Sequence, residues 1–233
     1  MKIFHYINRH DLIYKWLENA DVLLDIGCAS GEQSNLFSGK CNKVCAIDPN
    51  ENLLRTAKKK YPHINFKIGC AEEIPFKNET FDLVVMSDVL EHVENERKSL
   101  DEAYRVLKEN GALILTAPNK GLFNFMDIDN YSWLFRKIFR IKSEKPGYQN
   151  KHKHYSLKEI KKLFGNKFEI LKLYRSSFFL SPLISNLRLL IRHTFGEGLE
   201  LRIKPYLDNI SELDYSIPYG RFSYNIGIYA KKI

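Results

Sequence analysis

Leu23-Leu24-Asp25-Ile26-Gly27-Cys28-Ala29-Ser30-Gly31 is the stretch on which the reading of this chain turns. It joins a short apolar run, Val22 to Ile26, to a turn bounded by two glycines. The segment that follows, Glu32 to Phe37, begins a helix. An apolar run without alternation marks a strand buried on both faces, as parallel sheets require. Glycines at the turn let the backbone approach a ligand closely, and the helix N-terminus favours the polar groups of that ligand.

The same rhythm continues outward. Residues 8–19 read as a leading helix with Leu12, Ile13, Trp16 and Leu17 on one face. Lys43 to Ile47 is a second strand ending in Asp48-Pro49, and Glu51 to Lys60 a helix. Ile64 to Ile68, Phe81 to Met86 and Ala112 to Ala117 are further strands. Glu96 to Lys108 places Leu100, Ala103, Tyr104 and Leu107 on one helical face, and Asn110-Gly111 is expected to stop it. After Pro118 the rhythm breaks over 119–154. It returns with the capping box Ser156-x-x-Glu159, a helix through Phe164 and a strand from Phe168 to Tyr174. Residues 176–220 form a second helical or irregular insertion, and Phe222 to Ala230 alternates as a terminal strand.

Strands alternating with amphipathic helices predict an α/β fold: a doubly wound, mostly parallel, seven-stranded sheet with insertions after strands 5 and 6. The reading is one domain over 1–233. Residues 20–118 are its cofactor-binding half, and 119–154 and 176–220 its acceptor-recognition or lid insertions. Ligands are expected at the carboxyl ends of the strands.

Composition sets the outer limits. The chain has 233 residues, 44% hydrophobic and 27% charged, which excludes disordered, collagenous and coiled-coil classes. No uncharged apolar run approaches the ~20 residues of a membrane span; the longest, Ser176 to Leu187, stops at Arg188. The N-terminal residues lack a signal-peptide pattern, so the expected location is cytoplasmic. Cys28, Cys41, Cys45 and Cys70 form no C-x-x-C pair, which predicts reduced thiols and no metal. Residues 1–118 carry 15 basic and 18 acidic side chains, whereas 119–233 carry 21 and 10. The basic half also holds 20 of the 30 aromatic residues. Such a half suits an anionic neighbour, whether phosphate, nucleic acid or lipid head group, or is simply a solvated surface.

Asp48 lies 17 residues after Gly31 at the end of the next strand, where a carboxylate can accept both hydroxyls of a ribose. A dinucleotide site would need glycine at 27, 29 and 32, and this chain has Gly27, Ala29 and Glu32. An acid at the third position would face a pyrophosphate badly. Asp25, just before the turn, suits instead a ligand carrying an ammonium and a sulfonium, which points to S-adenosylmethionine. Ala29 in place of a glycine is tolerable if its φ stays negative.

Several segments together resemble the class I S-adenosylmethionine-dependent methyltransferases, and within them the group that includes the ubiquinone and menaquinone methyltransferases. They are Asp25 to Gly31, Ala46-Ile47-Asp48, Gly69 to Phe76, Phe81 to Val85, Val89-Leu90-Glu91-His92-Val93 and Leu107 to Leu113. The resemblance implies a Rossmann-like methyltransferase fold over about 22–119. It implies that Asp25 and the backbone of Gly27 hold the methionine ammonium, along the turn residues Cys28, Ala29 and Gly31. Asp48 would take the ribose hydroxyls and Pro49 would flank the adenine. Cys70 stands where the family often has an aspartate for the adenine amino group, leaving the backbone of Ala71 to serve the ring. Ser87 would line the methionine end, or cap a helix.

The expected chemistry is in-line methyl transfer, in which alignment supplies most of the rate. A base is needed only for a hydroxyl or a protonated amine. His92, His154 and Tyr155 are the candidates, each with a loop-packing role as the alternative. Asn119 and Trp133 are placed toward the acceptor. Residues 131–142 and 178–195 interleave apolar and basic side chains, as a lid, a peripheral membrane contact or an oligomer interface would. The leading expectation is methyl transfer to a small-molecule, lipid-like or glycan-linked acceptor. An RNA methyltransferase using the basic half ranks behind it, since neither an RNA-binding module nor Asn-Pro-Pro-Tyr is present. A non-catalytic binding subunit is the third reading, against which Asp25, Gly27 and Asp48 stand intact.

Overall fold

Alternating hydrophobic residues decide which face of the sheet each strand feeds. In β1 (Val22–Ile26), Leu24 and Ile26 enter one core and Leu23 the other. β2 (Lys43–Asp48) splits Cys45 and Ile47 from Val44 and Ala46 in the same way, and β4 (Phe81–Ser87) splits Val84 and Met86 from Leu83 and Val85. Both faces are therefore covered, and each fully buried leucine or isoleucine contributes about 1.5–3 kcal/mol. The computed structural model describes residues 9–17, 20–122, 127, 130, 152–178 and 180–233. Trp133, the stretch 131–142, most of the first insertion and Phe179 lie outside the described residues.

The seven strands run in the order β3-β2-β1-β4-β5-β7-β6, with β3 Asn65–Ile68, β5 Leu107–Pro118, β6 Phe168–Ser176 and β7 Asn225–Lys232. β1 pairs in parallel with β2 and β4, β2 with β3, and β4 with β5, while β7 runs antiparallel to both its neighbours. This is the mostly parallel sheet that the sequence predicts. The helices α1 (Arg9–Trp16), α2 (Glu32–Phe37) and α3 (Glu51–Lys60) cover one face. α4 (Glu96–Val106) and α5 (Leu157–Phe164) cover the other. The Ser156–Glu159 capping box forms in both directions at the start of α5, a device that stabilises a helix by about 1 kcal/mol.

Two boundaries differ from expectation. α4 ends at Val106, not at Asn110-Gly111, because Leu107 already pairs with Phe81 as the first residue of β5. The register then slips before Leu83 meets Ala112, and Asn110 takes φ 62 within the strand. β7 starts at Asn225 instead of Phe222, because its partner β5 ends where Pro118 faces Asn225. Gly220–Phe222 form a 3₁₀ turn, with Phe222 exposed.

The second insertion is a helical hairpin, α6 (Leu180–Phe195) and α7 (Glu197–Ser216). Three of its basic residues meet acids of the same hairpin: Arg188 with Glu200 and Asp208, Lys204 with Asp208, and Arg192 with Glu197. Among the described residues no helix is long and apolar enough to cross a membrane.

Candidate active site

The carboxyl ends of β1 and β2 bring two acids side by side. Asp25 is 1% exposed, flanked by Ala46 of β2 and Val85 of β4. Burial pushes its carboxyl up to about 7; the Ser34 hydroxyl opposes this, and the nearby Asp48 charge adds to it. Ser34 donates to Asp25 Oδ2 at 2.5 Å from inside α2. A buried acid held near neutrality is a site built to receive a positive charge. Asp48 accepts from the backbone of Ala29 at 2.9 Å through Oδ2 and of Asn50 at 2.8 Å through Oδ1. Each carboxylate oxygen keeps a lone pair for a further donor.

The turn between them departs from expectation at two residues. Ala29 has φ 47 where a negative value was expected. The left-handed region costs an alanine about 1–2 kcal/mol, and the Asp48–Ala29 hydrogen bond holds it there. The thiol of Cys28 lies in the core, and burial pushes its pKa far up, so only its backbone stays at the turn. The amides of Gly27 and Cys28 both donate to the Ile47 carbonyl. Of the Gly27 backbone groups, the carbonyl is the one that could accept from an ammonium. Gly27 (φ +75) and Gly31 (φ +83) are fixed by space as well as by torsion. A Cβ at 27 would meet Val89 Cγ2 at 2.6 Å, and one at 31 would meet Phe66 Cζ at 2.7 Å.

The neighbouring loops carry the other sequence-chosen residues. Pro49 is exposed beside Asp48. Cys70 and Ala71 open a tight turn in which the Cys70 carbonyl accepts from Glu73, and Ala71 is buried. That turn is pinned from α4: Glu102 accepts the Ile74 amide, and Arg105 donates to the carbonyls of Ile74 and Phe76. Ser87 ends β4, 3.4 Å from the Thr116 hydroxyl. Next to it Asp88 takes φ 52 and is tied to Thr116 by both its amide and its carboxylate.

The proposed bases fall into a group that their spacing did not reveal. His92 follows Val89, the residue packed on Gly27, and donates its amide to the Val89 carbonyl. Its ring lies 5.0 Å from that of His152, whose ring lies 5.8 Å from that of His154. His152 Nδ1 contacts Asp127 Oδ2, and its Nε2 is 3.7 Å from Glu91 Oε1. His154 Nε2 is 3.2 Å from Asp127 Oδ2. Burial pulls His152 down, but the hydrogen bonds and charges of Asp127 and Glu91 outweigh it and hold the imidazole up to about 10. Asp127 is held well below the usual carboxylate range by the two histidines, against its own burial.

Two candidates lose their assigned chemistry here. Tyr155 is buried and donates its hydroxyl to the Leu90 carbonyl at 2.8 Å, 3.3 Å from Glu96. Burial and the acids Glu96 and Glu91 raise its pKa strongly, so it is a clamp on the loop after β4 and not a base. Asn119 is buried with its amide donating to the Ser223 carbonyl at 2.6 Å. That bond fastens β5 to the approach of β7 and accounts for the burial without a substrate. Ser34, Glu91, Asp127 and His152 are absent from the sequence-chosen site. Ser34 carries a local signal, an inward hydroxyl nine residues after Asp25, whereas the others meet only through the fold.

Residues 24–115 match the family described as a methyltransferase domain. A ubiquinone/menaquinone biosynthesis C-methyltransferase of Hydrogenovibrio crunogenus is 31% identical over 116 residues, 46% of this chain and 46% of that protein. The chain spans about half the length of the curated relatives it matches. An S-adenosylmethionine-dependent methyltransferase of Methanosarcina mazei superposes with a TM-score of 0.61 at 21% identity, over 95% of this chain and 97% of the other. The [4+2]-cyclase SpnF superposes with a TM-score of 0.63 at 17% identity, over 96% of this chain and 79% of that one. Those likenesses show the fold. With its doubly wound sheet and the acids at the ends of β1 and β2, the chain carries a methyltransferase domain over 24–115, similar to that of S-adenosylmethionine-dependent methyltransferases.

Proposed function

We propose that this protein transfers a methyl group from S-adenosylmethionine to a small-molecule, lipid-like or glycan-linked acceptor by in-line displacement. The observation that carries the reading is the Asp25–Asp48 pair. Burial pushes the Asp25 carboxyl up to about 7, so a cation beside it would favour its ionised form, and the neighbouring Asp48 carboxylate could accept the hydroxyls of a ribose. Asp25 and the Gly27 carbonyl would hold the ammonium, Asp48 the ribose, and the turn at Cys70-Ala71 the adenine. The cofactor supplies a methyl carbon already activated by a sulfonium. The chain's own task is alignment and exclusion of water, and alignment alone is worth about 7–11 kcal/mol.

The acceptor class rests on the hairpin. Arg188, Arg192 and Lys204 are paired within it, while Leu190, Phe195, Leu201 and Leu213 remain exposed. An apolar surface on which three of the cations are already paired suits a lipid-like molecule better than a polyphosphate. Incubation with methyl-labelled cofactor and separated lipid, glycan, RNA and protein fractions tests this. Label is expected in the lipid or glycan fraction; label confined to RNA, or none at all, contradicts it.

A further inference from the structure

Glu91 sets the problem. Its side chain is 1% exposed, and Oε2 has no hydrogen-bond partner among the described residues. An unpaired buried carboxylate oxygen is costly. Glu91, His92 and His152 offer ligand atoms that all lie within 4.8 Å of one another. Ligand atoms each about 2.1 Å from one tetrahedral ion stand about 3.4 Å apart, so the three side chains would draw together by up to about 1.4 Å to close the set. Asp127, His152 and His154 form a second such group that shares His152.

The two groups resolve into one site. His152 turns Nδ1 to Asp127 and leaves Nε2 toward Glu91. A metal-bound histidine commonly donates its other ring N–H to a carboxylate, which fixes tautomer and ring orientation. Asp127 then stands behind the ligand, with His154 Nε2 3.2 Å from the same carboxylate oxygen. We infer that Glu91, His92 and His152 bind one divalent first-row transition cation, with Asp127 as the positioning residue behind His152. Two imidazoles with one carboxylate select the Zn²⁺ class over Mg²⁺, which prefers oxygen donors alone. Three protein ligands leave a coordination position open, as in catalytic sites. The ligand class for that position is an acceptor oxygen: a hydroxyl, a phenol or a carboxylate. The position of His92, three residues after the Val89 that packs on Gly27, puts this site at the methionine end of the pocket. That last step rests on the proposed methyltransferase reading; the metal site itself does not.

The test is titration of the metal-stripped full chain with Zn²⁺, and with Co²⁺ followed by visible absorption, with Mg²⁺ for comparison. One equivalent of Zn²⁺ is expected, with Co²⁺ bands of an imidazole–carboxylate site and weaker Mg²⁺ binding. Glu91→Gln and His92→Ala should each weaken Zn²⁺ at least about tenfold. Asp127→Asn should weaken it about 10–100-fold. Circular dichroism should be unchanged, and His92→Ala, on a half-buried ring, guards against misfolding of the Glu91 variant. Absence of stoichiometric uptake by the folded chain overturns the site and leaves a protonated His152 between two acids. Undiminished uptake by folded Glu91→Gln and His92→Ala overturns it too. Zn²⁺ uptake without any S-adenosylmethionine binding would uphold the site while removing the methyltransferase reading.

Discussion

Removing the charge of Asp25 has consequences that can be worked from its surroundings. The carboxyl moves from an ordinary 3.8 to about 7, chiefly through burial. About three pKa units at 1.36 kcal/mol each correspond to on the order of 4 kcal/mol between its two protonation states. The folded state holds its proton more tightly than the unfolded chain. Ligand-free stability should therefore fall as pH rises from about 4 to about 7, and stay level above that. Asp25→Asn cannot ionise and should lack this decline. A cationic ligand reverses the preference: it favours the carboxylate and expels the proton. Each pH unit below about 7 should weaken S-adenosylmethionine binding about tenfold in the parent and not in Asp25→Asn. Calorimetry near pH 6.5 in two buffers of different ionisation enthalpy should register the release of most of one proton per ligand bound. Affinity that is flat from about pH 5.5 to 7, with no proton released, would refute the argument.

Three further substitutions probe the same frame. Asp48→Ala removes the proposed ribose acceptor and strands the Ala29 and Asn50 amides, so cofactor affinity should fall at least about tenfold; parental affinity would show that Asp48 does not hold the ribose. Gly31→Ala meets both φ +83 and Phe66 Cζ at 2.7 Å. Its unfolding free energy should drop by about 2–4 kcal/mol in urea denaturation, and an unchanged midpoint would contradict the packing described. Arg105→Ala frees the Ile74 and Phe76 carbonyls and the Glu102 carboxylate. Its cost should be about 2–3 kcal/mol, with faster amide exchange over 70–78 as the specific signature.

How much of this was legible in the sequence follows from distance along the chain. Val22–Ile26, the Gly27–Gly31 turn and the Ser156–Glu159 box each declare themselves within ten residues, because apolar runs, glycine and capping are local rules. The join of α4 to β5 is not local. Leu107 looks helical by its spacing from Leu100 and Ala103, yet pairing with Phe81 takes it into the sheet. Ala29 likewise adopts a positive φ with its amide given to Asp48 on the next strand. The cluster of Glu91, His92, Asp127 and His152 spans some sixty residues, so no spacing rule exposes it. Tyr155 and Asn119 were the reverse case: polar residues at the right edge of the sheet, whose hydrogen bonds turn inward to Leu90 and Ser223.

Two neighbouring acids are proposed to grip an adenosyl sulfonium, and side-by-side titration with S-adenosylmethionine and a nicotinamide dinucleotide tests that most directly. One molar equivalent of S-adenosylmethionine should bind, and the dinucleotide should give no heat. Binding of the dinucleotide, or silence from both, would contradict it.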